Sequence, residues 1–178
     1  SARALSQCEF RDVTVLFANF RSTAGHESDA PDQLVSTINN RLRSAFEIIF
    51  DAGGSIARID PYYDGHKLLV LFGAPKRHEN DELNALHCAT RLVKLVDPDF
   101  DLRIGLASGS LFCGDVGTQC RKEYTVMGDT VNVCSRLQQL AAYHAELDRI
   151  ERGETPTDPL FGPLAEAIRE HAIPLAPF

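Results

Sequence analysis

Asn132 and Arg136 stand four residues apart in Tyr124-Thr-Val-Met-Gly-Asp-Thr-Val-Asn-Val-Cys-Ser-Arg-Leu137. The segment reads as a strand, a glycine turn and the start of a helix. On a helix, that spacing puts both side chains on one face, one turn apart. A neutral amide donor and a guanidinium aimed at one point suit a phosphate whose charge grows during reaction. The same pattern alone also describes a cap followed by an amphipathic helix with two solvated polar residues. The other motifs of the chain decide between these readings.

Three further stretches accompany it. Val13-Thr-Val-Leu-Phe-Ala-Asn-Phe20 is an apolar strand. Leu68-Leu-Val-Leu-Phe-Gly-Ala-Pro75 is a second. Arg103-Ile-Gly-Leu-Ala-Ser-Gly-Ser-Leu-Phe-Cys-Gly-Asp-Val-Gly117 reads as a hairpin turning at Ser108-Gly109. With the Asn/Arg segment, in this order, they resemble the catalytic domains of class III nucleotidyl cyclases, the adenylate and guanylate cyclases. The resemblance spans residues 12–142.

The elements that must position these residues follow from periodicity. A strand over 12–19 with little alternation is buried on both faces. Residues 21–32 read as a loop. Leu34, Ile38, Leu42, Ala45, Phe46 and Ile49 give a helix over 31–51, with Asp29 or Asp32 as cap, ended by Gly53-Gly54. Strands at 55–59 and 67–72 flank a turn at Pro61–Gly65. A helix over 80–96 is expected to bury Leu83, Leu86, Ala89, Leu92 and Leu95. Strands at 101–107, 110–115 and 123–127 precede the Asn132/Arg136 helix. The order is β-α-β-β-α-β, the ferredoxin-like arrangement. The fold class is therefore α/β, an α+β sandwich with helices on a mostly antiparallel sheet.

The organisation expected is a lead-in over 1–11, a cyclase homology domain over 12–142 and an atypical C-terminal segment over 143–178. The family usually continues with a Gly-Glu-hydrophobic strand and a hairpin. Here Glu146–Arg152 reads as charged helix, Glu154–Pro163 as loop and Leu164–His171 as a short helix.

With 178 residues the chain can bury a sizeable core. A formal charge of −7 argues against nonspecific nucleic-acid binding. The longest apolar run, Leu68–Ala74, is far short of the ~20 residues of a membrane helix, and no signal peptide is visible. Five scattered cysteines without a CxxC pair imply neither a zinc site nor a disulfide framework. Reduced thiols and a cytoplasmic location are expected. A chain opening at Ser1 is expected to be a piece of something longer. His87 and Cys88, inside the second helix, read as a packed or surface histidine and a buried thiol, not a nucleophile pair.

The resemblance implies a reaction. The family converts a nucleoside triphosphate to a 3′,5′-cyclic monophosphate and pyrophosphate, with the 3′-hydroxyl attacking the α-phosphorus in line. Two Mg²⁺ or Mn²⁺ ions, held by two aspartates, serve it. The active sites lie between two domains paired head to tail. Asn132 and Arg136 match the family's transition-state pair. Thr125, seven residues earlier, matches a base-reading position, and ATP is expected over GTP. The metal positions depart from the pattern: the first-strand aspartate is Asn19, and the hairpin aspartate is His66. Asn19 keeps an oxygen without the charge, and imidazole nitrogen is a poor Mg²⁺ donor. Asp64 or Asp60 would replace one carboxylate if the turn were rebuilt. Ordinary turn chemistry beside Pro61 and Gly65 also explains both. The base-reading lysine becomes Tyr62 by strict counting, or Arg58 in another register. Backbone N–H groups of the loop from Phe20 to Thr23 would wrap phosphates, with Arg21 adding charge; an exposed loop arginine is the plainer reading.

Three functions follow. The chain is a complementary cyclase half, active beside a domain that supplies aspartates. Or it is a pseudo-cyclase, a nucleotide-sensing or dimerising module in a homodimer or heterodimer. Or it is a working cyclase with an unusual metal site.

Overall fold

The computed structural model describes residues 9–22, 31–62, 65–96, 100–117 and 122–156, with Gly162 and Glu166. The elements run β1 (Glu9–Ser22), α1 (Pro31–Asp51), β2 (Ser55–Tyr62), β3 (Gly65–Phe72), α2 (Asp81–Val93), β4 (Phe100–Gly117), β5 (Lys122–Met127) and α3 (Asp129–Glu151). The sheet order is β2-β3-β1-β4-β5. Every pairing between these neighbours is antiparallel. This is the expected α+β sandwich with a ferredoxin-like core, extended by β5 and α3. Two compact units divide after Gln138. The sheet, α1, α2 and the first turns of α3 belong to the first. The second holds the rest of α3, where Leu147 and Ile150 are buried.

Both faces of the central strand β1 are covered, as its weak alternation predicts. Leu16, Ala18 and Phe20 join Leu68, Val70 and Phe72 against Ala45 and Ile49 of α1 and Ala85, Cys88 and Leu92 of α2. Val13 and Val15 join Leu71, Leu111 and Val126 against Cys134 of α3.

Three expectations are corrected. β4 does not turn at Ser108-Gly109; it continues for 18 residues, and β1 pairs with it without a break from Glu9↔Cys113 to Ser22↔Phe100. The glycines serve close approach instead. A Cβ at Gly109 would lie under 3.0 Å from Thr130 Oγ1, and one at Gly105 under 3.0 Å from the Cys134 carbonyl oxygen. α3 lies directly on β4, so glycine is required by the helix above, not by a turn. Second, α2 buries Ala85, Cys88, Ala89 and Leu92, while Leu83 and Leu86 are 48% and 51% exposed. Small residues face the sheet because the helix packs close to it; residue size misled the choice of face. Third, β1 extends through Ser22, and β2 and β3 reach Tyr62 and Gly65. Pro61 fits because β2 is an edge strand. The charged helix expected over Glu146–Arg152 is the last part of α3, which runs unbroken to Glu151. Asp29 and most of Leu164–His171 lie outside the described residues, as does the side chain of Asp32.

The buried thiols set an alkaline limit. Burial pushes Cys88 up to about 11, partly offset by Arg91. Burial pushes Cys134 up to about 11 as well, partly offset by backbone groups of Phe17 and Ala107. The unfolded thiols ionise near 9.0. The folded chain therefore binds more protons between pH 9 and 11, and its stability falls as pH rises through that window. Urea denaturation at pH 8 and pH 10.5 checks this. The stability advantage of the native chain over Cys88→Ala/Cys134→Ala is expected to shrink at the higher pH; an advantage that grows refutes it.

Candidate active site

α3 starts where β5 ends. Met127 closes the strand, and Gly128, with φ 152°, turns the chain into the helix. Three contacts then seat the helix. Thr130 lies over Gly109. The Cys134 Sγ lies 3.2 Å from the Val15 carbonyl and 3.1 Å from the Gly105 carbonyl. Gln138 is buried. Thr130, Cys134 and Gln138 are spaced by four, which turns Asn132 and Arg136 to the opposite, exposed face. Both side chains are open to solvent, together and one turn apart, as the spacing predicts. Thr125 is half-buried on β5, opposite Gly114. Met127, Val133 and Leu137 are exposed apolar residues in the same stretch of chain.

Asn19 and His66 lie elsewhere, at the far end of β1 and the near end of β3. Asn19 pairs with Lys67 on β3 and Arg103 on β4, and His66 pairs with Phe20. Asn19 is 7% exposed. Its Oδ1 is buried without a hydrogen-bond partner among the described residues. An unmade bond to a buried carbonyl oxygen costs roughly 1–3 kcal/mol. His66 is half-buried.

Neighbouring positions divide. Arg58 is exposed and its Nε donates to Asp60 Oδ1 at 2.7 Å. Tyr62 pairs with Gly65 in the backbone, and Asp64 lies outside the described residues. Phe20 and Arg21 do not form a phosphate-wrapping loop. They sit within β1 between β3 and β4, where both flanks of the strand are paired. The Phe20 ring packs 5.6 Å from Phe100 in the core, and Arg21 is buried rather than an exposed loop residue. Thr23 lies outside the described residues. His87 is exposed and Cys88 buried.

Thr125 is far from Asn19 along the sheet, whereas α3 runs back towards the Asn19 row. Asn19 is level with Arg103 on β4, Thr130 with Gly109 and Thr125 with Gly114. From position 103 to 114 is eleven residues, about 36 Å at ~3.3 Å per residue; α3 runs back along β4, so Cys134 and Gln138 lie over Gly105, two residues from position 103.

The sequence reading missed Lys67, Asp101 and Arg103. They become relevant only through register: Asp60, Lys67, Asn19 and Arg103 form one row across β2, β3, β1 and β4. Arg103 Nε donates to Asp101 Oδ2 at 2.9 Å. Among the described residues no group of three or more His, Cys, Asp or Glu side chains is placed to hold a metal ion. No helix among them is long and apolar enough to cross a membrane.

A five-stranded antiparallel sheet with three helices is a fold shared with solved cyclase structures. The adenylate and guanylate cyclase catalytic domain matches residues 5–146, and the chain belongs to that family. It is 31% identical to adenylate cyclase type 10 of Homo sapiens over 133 residues, 72% of this chain and 8% of that protein. Among solved structures it resembles the guanylyl cyclase Cya2 (27% identity, TM-score 0.60, 75% of this chain and 72% of that one). It also resembles the adenylyl cyclase CyaB from P. aeruginosa (25% identity, TM-score 0.63, 75% and 74%). The chain thus spans under a tenth of the human relative.

Proposed function

We propose that this chain is the complementary half of a class III nucleotidyl cyclase. It supplies Asn132 and Arg136 to a nucleoside triphosphate, ATP over GTP, whose metal-holding carboxylates come from a second cyclase domain. The observation that carries this reading is the exposed Asn132/Arg136 pair on α3 in a chain whose positions 19 and 66 are asparagine and histidine. In the family the site lies between two domains, one giving the metal aspartates and the other the Asn and Arg. This chain offers one end complete in residue type and the other changed.

Its own donors do not fit Mg²⁺ or Mn²⁺. The set at the far end is a carboxamide and an imidazole where the family uses two carboxylates, and Asp60 is engaged by Arg58. Both ions favour charged oxygen donors. The amide oxygen of Asn19 is also left without compensation. A homodimer would therefore place Asn and Arg in both sites and a carboxylate pair in neither.

At the complete end, the residues have distinct work. Arg136 donates to a phosphate oxygen that gains charge as the 3′-hydroxyl oxygen bonds to the α-phosphorus and pyrophosphate leaves. Asn132 donates through its amide without adding charge. Thr125 offers a hydroxyl to the edge of the base. Met127, Val133 and Leu137 give the apolar surface against which a partner domain excludes water.

The test is cyclase activity with ATP and Mn²⁺. The chain alone is expected to show no turnover above background. Mixed with a cyclase domain that retains both aspartates but carries alanine at its own Asn and Arg positions, it is expected to restore product formation. Strong turnover by the chain alone, or no activity in the mixture, overturns the proposal. In the second case, retained binding of a nucleotide favours the sensing module.

A further inference from the structure

Cys134 lies midway between the two exposed polar side chains of α3, two residues after Asn132 and two before Arg136. It is fully buried against the sheet, on the side of the helix away from them. Its thiol donates to the Val15 carbonyl at 3.2 Å and to the Gly105 carbonyl at 3.1 Å. Those acceptors belong to different strands, β1 and β4, in neighbouring pairs of one ladder, Val15↔Ala107 and Phe17↔Gly105. The sulfur therefore lies over the seam between the strands. Backbone groups of Phe17 and Ala107, the other halves of those pairs, act on it as well. Burial pushes the thiol up to about 11, so at neutral pH it carries the proton that it donates. The rest of the buried line adds shape: Thr130 rests over Gly109 and Gln138 over Gly105. Apolar contact is non-directional, so a helix on a glycine floor can roll about its axis and keep most of that contact. A thiol is a weak donor and adds little stability. What it adds is direction, because a hydrogen bond weakens steeply off line. Two acceptors on two strands oppose a roll in either sense.

We infer that Cys134 is a positioning residue of the proposed reaction: its thiol, bonded to β1 and β4 at once, sets the roll of α3 and with it the place of Asn132 and Arg136. The inference rests on the reading that this pair serves the transition state. The lever is long. A roll of about 10° moves an atom ~6 Å from the helix axis by about 1 Å. A misplacement of that size can cost about 10²-fold in rate. Asn132 and Arg136 stand across the helix from the sulfur, so a roll carries both in the same sense. The metal ions are held by the partner domain in this reading, so the loss falls on kcat and KM changes little.

The experiment compares native chain, Cys134→Ser, Cys134→Ala and Cys134→Val, each mixed with the cyclase domain that retains both aspartates, in the presence of ATP and Mn²⁺. Serine keeps a donor. Alanine and valine bracket the thiol in size and have none, so one donor-free form that folds is enough. Circular dichroism melts set an assay temperature below the transition of every form compared. The serine form is expected to keep kcat within about threefold of native, and the donor-free forms to lose roughly tenfold or more, with KM within about twofold. A role in packing alone orders the forms by size and polarity instead, with serine no better than alanine. Equal kcat of the serine and donor-free forms, whether all are fast or all are slow, overturns the inference, while an active native mixture leaves the complementary half standing. A native mixture without activity overturns that reading, and the inference with it.

Discussion

Arg136→Ala is expected to lower the activity of the mixed domains by about 10²–10³-fold, the loss typical of one preorganised donor to developing charge. That is ~3–4 kcal/mol of transition-state stabilisation. The loss should fall on kcat more than on KM, because the guanidinium gains most when the phosphate oxygens gain charge. Arg136 is exposed on α3, so the melting temperature should stay nearly unchanged. Lysine should rescue only part of the activity, since an ammonium lacks the planar fork of donors. Steady-state kinetics with saturating partner domain measures this. An Arg136→Ala mixture as active as the native one would remove Arg136 from the chemistry.

Gly105→Ala should damage stability and activity together. The added methyl would lie under 3.0 Å from the backbone oxygen of Cys134 and the backbone nitrogen of Gln138. Neither atom is the far end of a flexible side chain, so α3 or β4 must move. Overpacking of this kind costs about 1–3 kcal/mol, and a rigid backbone neighbour puts the expected loss near the top of that range. For a chain of this size, ~3 kcal/mol lowers the melting temperature by roughly 6–12 °C. A helix lifted from its seat also displaces Asn132 and Arg136. A shift of ~1 Å in such groups can cost about 10²-fold in rate. Calorimetry and the mixing assay report the two effects. A variant with native melting and native activity would show that α3 does not depend on this close approach.

Much of this protein was legible in the residues alone. The amide and guanidinium four apart fixed their shared helix face, because helical geometry is local and constant. The unalternating apolar run at 13–18 announced a strand covered on both sides, and the βαββαβ order announced the sheet. Other features needed distant parts of the chain. Ser108-Gly109 has the composition of a turn, yet it lies mid-strand because Thr130 comes to rest above it. Leu83 and Leu86 look like core residues, but α2 turns its smaller side chains inward. Lys67 drew no notice until strand register set it opposite Asn19. Pairing register and helix seating arise from contacts between residues far apart in sequence. A one-dimensional pattern carries residue type and local period; which side chains face each other across a sheet was decided only when the strands came together.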